Sequence, residues 1–190
     1  MPGKLTGTSN AKGNNGFNIK KNNLDLTANI NSFRIQKNTY NNIDLDAYFE
    51  KGLVEMKANI KDPVLNALLN GNADIRNEYP TLHADIDLPA ANLYALGFTP
   101  DSMVVSTIGR VDINNADPSS LDAVIRLDSI LLKRNGSNIY ADSILLTGKV
   151  RNDSTFFTLN SPNAGADIAS NLTYIEMPEL LNEVMSYYMP

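Results

Sequence analysis

Apolar and polar residues alternate one for one along most of this chain. Between positions 24 and 30, Leu24, Leu26, Ala28 and Ile30 fall on one side of an extended backbone, and Asp25, Thr27 and Asn29 on the other. The same period of two recurs over 43–47, 54–60, 82–88, 109–113, 121–127 and 164–168. Successive side chains of a strand point to opposite faces, so each segment predicts a strand with one apolar and one wet face. Antiparallel sheets solvated on one side carry this signature, whereas parallel sheets covered on both sides read as continuous apolar runs. The spacing predicts about ten to twelve strands. Between them lie Asn14-Asn15-Gly16, Lys61-Asp62-Pro63, Asn135-Gly136-Ser137 and Asn152-Asp153-Ser154, residues that accept turn conformations. The apolar phase slips from even positions over 24–30 to Phe33 and Ile35, which predicts a β-bulge near Asn31-Ser32.

Two stretches depart from the alternation. Residues 89–97 begin with Pro89 and end with Gly97, which predicts a short helix. Residues 178–188 begin with Pro178 and Glu179 and place Leu181, Val184, Met185 and Tyr188 at helical spacing. The expected fold is therefore all-β, a curled antiparallel sheet over 1–175 with one short helix inside it. The amphipathic helix in 176–190 is expected to lie on that sheet or cap it.

Composition narrows the class of protein. Hydrophobic residues make up 43% and charged residues 19% of the 190, so the chain is neither a disordered tail nor collagen-like. There are 16 Lys+Arg against 21 Asp+Glu, a formal net charge of −5, and the longest basic runs are the pairs Lys20-Lys21 and Lys133-Arg134. That balance argues against a nucleic-acid partner, which needs clustered cations. Cysteine is absent, which removes disulfides, thiol catalysis and cysteine-based zinc sites. Met1-Pro2-Gly3-Lys4-Leu5 lacks a signal-peptide pattern, and both ends read as cut, so the expectation is a piece of a longer protein.

Candidate chemistry is sparse. His83 is the one histidine, and Asp85 and Asp87 share its face of the 82–88 strand at steps of about 7 Å. Asp44 and Asp46 form a similar pair. Both sets read better as the solvated side of a sheet than as metal ligands. No G-x-S-x-G, P-loop or G-x-G-x-x-G is present, and Gly13-Asn14-Asn15-Gly16 reads as a turn. Asn135, Asn152 and Asn171 open glycosylation sequons, but the chain holds 26 asparagines and such matches arise by chance. The chain reads as a non-enzyme with no metal and no cofactor. A β-helix carbohydrate enzyme, whose two carboxylates sequence cannot identify, is the weakest reading, since Trp for sugar stacking is absent.

What remains is the apolar face. Leu45, Ala73, Ile86, Val111, Ile113, Ile125, Leu127 and Ile168 lie on it, and two short helices cannot cover so many strands. Such a sheet either folds on itself as a sandwich or curls into a trough with an apolar lining.

The order of segments resembles the AsmA-like and TamB (translocation and assembly module) superfamily, in the large versions found in Gram-negative, Bacteroidetes-type envelopes. The resemblance rests on Asn41-Asn42-Ile43-Asp44-Leu45-Asp46-Ala47 and on Asp62-Pro63-Val64-Leu65 leading to Gly71-Asn72-Ala73-Asp74-Ile75. Residues 82–88 followed by Ala91-Asn92-Leu93-Tyr94-Ala95-Leu96 continue it, then Gly109-Arg110-Val111-Asp112, 139–146 and 157–172, so that it spans about 24–175. The family implies a periplasmic bridge-like protein anchored in the inner membrane, with a β-taco groove along which phospholipid acyl chains travel. It also implies an Omp85-type outer-membrane assembly barrel as partner. In that reading the eight apolar residues above line the groove. The alternative is a structural or adhesive β-sandwich module of a cell-surface protein, whose apolar face is core.

Overall fold

The computed structural model describes residues 5–13, 20, 23–35, 38–152, 154–171 and 173. Eleven strands form: β1 (Leu5–Gly13), β2 (Asn23–Ile35), β3 (Asn38–Glu50), β4 (Leu53–Lys61), β5 (Leu65–Asp74) and β6 (Thr81–Asn92), then β7 (Met103–Asn115), β8 (Asp122–Arg134), β9 (Ser137–Arg151), β10 (Ser154–Ser161) and β11 (Ala164–Ser170). They lie in one sheet in chain order, each antiparallel to its neighbours, and the sheet does not close β11 onto β1. With strands about 4.8 Å apart, it extends roughly 50 Å across the strands.

Local chemistry explains the meander. Glu50 pairs with Leu53 and Arg134 with Ser137, which leaves two-residue turns at Lys51-Gly52 and Asn135-Gly136. All four turn residues have positive φ, from 47° to 87°, as a type I′ hairpin requires. The slip of apolar phase in β2 is a bulge: Thr6 opposes Ser32 while Gly7 opposes Ile30, so Asn31 is the extra residue. Across the sheet on β3, Asn42 takes φ 53° opposite the same point.

The expected helix over 89–97 is not formed. β6 continues through Pro89 to Asn92, where Ala91 pairs with both Leu65 and Val105. Pro89 sits in a register shift between Leu88 and Ala91, a place where the missing N–H breaks no ladder bond. Only one helical turn follows. Leu96 N–H donates to Asn92 O at 2.9 Å, Ala95 N–H donates to Asn92 Oδ1 at 3.0 Å, and Gly97 ends the turn with φ 83°. Pairing on both sides of 89–92 outweighs the local Pro-start, Gly-stop signal. The second expected helix, at 178–188, and the 176–190 segment that contains it lie outside the described residues.

Burial is shallow. Among the described residues the buried apolar side chains are Ala28, Ala58, Ala67, Ala91 and Leu121, and no large side chain is fully buried. Contacts between strands run between sheet neighbours, so among the described residues no second layer lies over either face.

One polar group is buried by design of the turn that it closes. Asp62, 4% exposed, accepts hydrogen bonds from Val64 N–H at 2.7 Å and from the backbone N–H and side-chain amide of Asn41, each at 2.8 Å. This ties the β4–β5 turn to β3. Burial by itself raises the carboxyl's pKa, but the donors from Val64, Asn41 and Leu65 outweigh it and hold Asp62 below the usual carboxylate value.

Candidate functional site

Antiparallel partners share a face, so the pairing registers assign every residue to a side. A row of direct partners runs Leu26, Ala47, Met56, Gly71 and Ala84 from β2 to β6. It continues Val111, Ile125, Leu146, Leu159 and Ala166 from β7 to β11. Ten strands thus contribute to one ribbon without a polar side chain. At the strand spacing it is about 43 Å long, more than the roughly 30 Å hydrocarbon thickness of a bilayer.

All eight residues expected on the apolar face are on it. Val111 and Ile125 are in the ribbon itself. Ala73, between Val54 and Leu82, and Ile113, between Leu82 and Ala123, flank it on one side. Leu45 between Ala28 and Ala58, Ile86 between Leu69 and Gly109, and Leu127 between Gly109 and Ile144 flank it on the other. Ile168 lies beside Phe157 at the β11 edge. Seven of the eight are half-buried and Ile168 is exposed. The side chains cover one another laterally, which is why the small residues between them, Ala28, Ala58 and Ala67, are the buried ones. Gly71 and Gly109 belong to the same packing: a Cβ on Gly71 would meet His83 O at 2.9 Å, and one on Gly109 would meet Leu127 Cδ2 at 2.9 Å.

The opposite face is built from ion pairs and amides. His83 Nδ1 lies 2.8 Å from Asp112 Oδ1, and Arg110 Nε donates to Asp85 Oδ1 at 2.8 Å. Each pair joins direct neighbours on β6 and β7. Asp85, sequence-adjacent to the histidine on its own face, is thus committed to Arg110, whose guanidinium it holds above its usual pKa. Asp44 accepts from the Asn29 amide at 2.8 Å. Among the described residues no three of His, Asp and Glu come together as a metal-holding group.

This polar side is cupped. A concavity of about 750 Å³ spans β2 to β7, with Asp25, Tyr48, Glu55, Asn72, His83 and Asp112 in one row across it. Thr27, Asp46, Lys57, Asn70, Asp85 and Arg110 form the next row. Glu50, then burial, then Asp25 and Glu55 push the Tyr48 hydroxyl above its usual pKa. Sequence reasoning missed this basin, because each row is assembled from six strands and exists only once their register is set. Between these two rows, Leu26, Ala47, Met56, Gly71 and Ala84, the ribbon's members from β2 to β6, also line the concavity.

Set against protein-family models, curated proteins and solved structures, the chain finds no match in any of the three comparisons. The sheet's own chemistry must carry the functional argument.

Proposed function

We propose that the chain is a segment of a periplasmic, membrane-anchored bridge-like protein whose apolar sheet face carries phospholipid acyl chains in outer-membrane assembly. The observation that carries this reading is the unbroken apolar ribbon over ten strands, with no second layer on it among the described residues. The resemblance to AsmA-like and TamB proteins agrees with it, and supplies the envelope location and the Omp85-type partner. An acyl chain laid on the ribbon gains about 0.8 kcal/mol per buried CH₂. The wet face, with its ion pairs, keeps the other side in water, so a lipid has one side to choose.

Ile125 tests the reading, since it is half-buried as the fourth residue of β8, between Val111 and Leu146. On an open face, Ile125→Asp leaves the carboxylate within reach of water, and the variant folds. The charge nevertheless lies where hydrocarbon must lie, and desolvating it costs several kcal/mol. Phospholipid is expected by mass spectrometry in detergent-free preparations of the wild-type protein and not in the folded variant. A wild-type protein free of lipid, together with an Ile125→Asp variant that does not fold, would replace this reading by the sandwich module.

A further inference from the structure

Two Asn-Gly pairs of the sheet stand in opposite settings. Asn70-Gly71 lies inside β5, and Asn135-Gly136 forms the two-residue turn between β8 and β9. A third pair, Asn15-Gly16, lies outside the described residues. Asn70 and Asn135 are both exposed, so access of water does not separate them. Their backbones do. Asn70 is paired with Lys57 on one side and Asp85 on the other, and Gly71 with Met56 and Ala84. A Cβ on Gly71 would meet His83 O at 2.9 Å, whereas nothing lies within 4 Å of one on Gly136. The turn is closed by its flanking pair, Arg134 and Ser137. Among the described residues, the Gly136 N–H donates to no backbone carbonyl.

We propose that Asn135 is a site of spontaneous covalent modification, a slow conversion to aspartate and isoaspartate, and that the sheet protects Asn70 from the same reaction. The Gly136 backbone nitrogen attacks Cγ of Asn135 and gives up its proton as the new N–Cγ bond forms. The side-chain nitrogen leaves as ammonia, and a succinimide ring remains. Water then opens that ring. Cleavage between the nitrogen and Cγ leaves an ordinary aspartate at position 135. Cleavage between the nitrogen and the main-chain carbonyl leaves isoaspartate, whose backbone runs through Cβ and Cγ. One water is consumed and one ammonia released, with no oxidant or cofactor. Ring closure needs the asparagine to rotate about its Cα–C bond. At Asn135 this requires only one hairpin end to open, and local opening of that kind is the least costly in a fold. At Asn70 the same rotation breaks the ladder to β4 and to β6 in mid-strand. The isoaspartate product lengthens the turn by one carbon, so that it no longer matches the two-residue connection between Arg134 and Ser137. It also sets a new carboxylate one residue from Arg134, which is paired with Asp101. Modification thus loosens the tip of the β8–β9 hairpin. The inference is independent of the lipid reading.

The test holds the full 190-residue chain at mildly alkaline pH, samples it over time and digests it for peptide mass spectrometry. Electron-based fragmentation separates isoaspartate from aspartate. The peptide that holds Asn135 should exchange NH for oxygen at least about tenfold faster than the one that holds Asn70, a barrier difference of about 1.4 kcal/mol. In urea, where no ladder holds either pair, the two rates should converge. Hydrogen exchange over 137–141 should quicken in the aged chain and not in Asn135→Asp, which carries the charge without the added carbon. Equal conversion of Asn70 and Asn135 in the folded chain would overturn the proposal. So would an Asn135 that stays intact in the folded chain while it converts in urea. Unchanged hydrogen exchange in the aged chain would remove the loosening of the hairpin.

Discussion

The two faces of this sheet are built from the same strands and held together in different ways. On the apolar face, stability depends on shape: side chains are half-buried against their lateral neighbours, and alanine or glycine stands where there is no room for more. On the polar face it depends on pairing between exposed groups, such as Arg110 with Asp85, both about 60% exposed. Contacts of the second kind contribute little in water and can be replaced. Contacts of the first kind cannot be exchanged without moving backbone. A one-layer sheet therefore keeps most of its stability on the side that also exposes its hydrocarbon.

The sharpest way to break that comparison is to change neighbouring residues that point to opposite faces. Gly71→Val drives a side chain toward the His83 carbonyl and should cost about 2–3 kcal/mol in urea unfolding. Asn72→Val, one residue on and exposed on the wet face, should stay within about 0.5 kcal/mol. Equal effects would show that the apolar face is not tightly packed. Next in size, Asp62→Ala strands three donors and should cost about 2 kcal/mol, more than any other single carboxylate removal.

Acid unfolding sharpens the same point. Asp74 is held at about 2 by hydrogen bonds from the Arg76 side chain and backbone, and Asp62 is also held below its usual value. A carboxylate whose folded pKa is depressed contributes stability that is present above its unfolded value of about 3.8 and is lost as pH falls through the folded one. Stability should therefore decline from about pH 4 toward pH 2, and Asp62→Ala should make that decline shallower. A midpoint that does not change between pH 5 and pH 2 would remove both carboxylates from the account. The smallest effect is expected at His83. His83→Ala removes a half-exposed pair with Asp112 and should change stability by no more than about 0.5 kcal/mol at neutral pH.

Much of this fold was legible because a strand's alternation is local. The eight apolar-face residues needed only their own neighbours to be placed, and the bulge at Asn31 followed from a change of parity between Ile30 and Phe33. The turn at Asn135-Gly136 was likewise written in two residues. Reading failed where a local signal competed with pairing on both sides. Pro89 and Gly97 bracket a helix by every terminus rule, yet Ala90 and Ala91 are held by β5 and Ala91 and Asn92 by β7. His83 fits a solvated histidine when seen along its own strand, and only the neighbouring strand supplies Asp112.

By itself, then, the sequence determined which residues share a face, because side-chain direction alternates with a period of two and needs no knowledge of the rest of the chain. Tertiary structure decided which strands are neighbours and in what register. That step turned separate apolar stripes into one ribbon, paired His83 with Asp112 and Arg110 with Asp85, and cupped the sheet toward its polar side. Each of these joins residues that lie about 25 or more positions apart or on several strands, and their meeting is set by the summed pairing of whole strands, which no short segment contains.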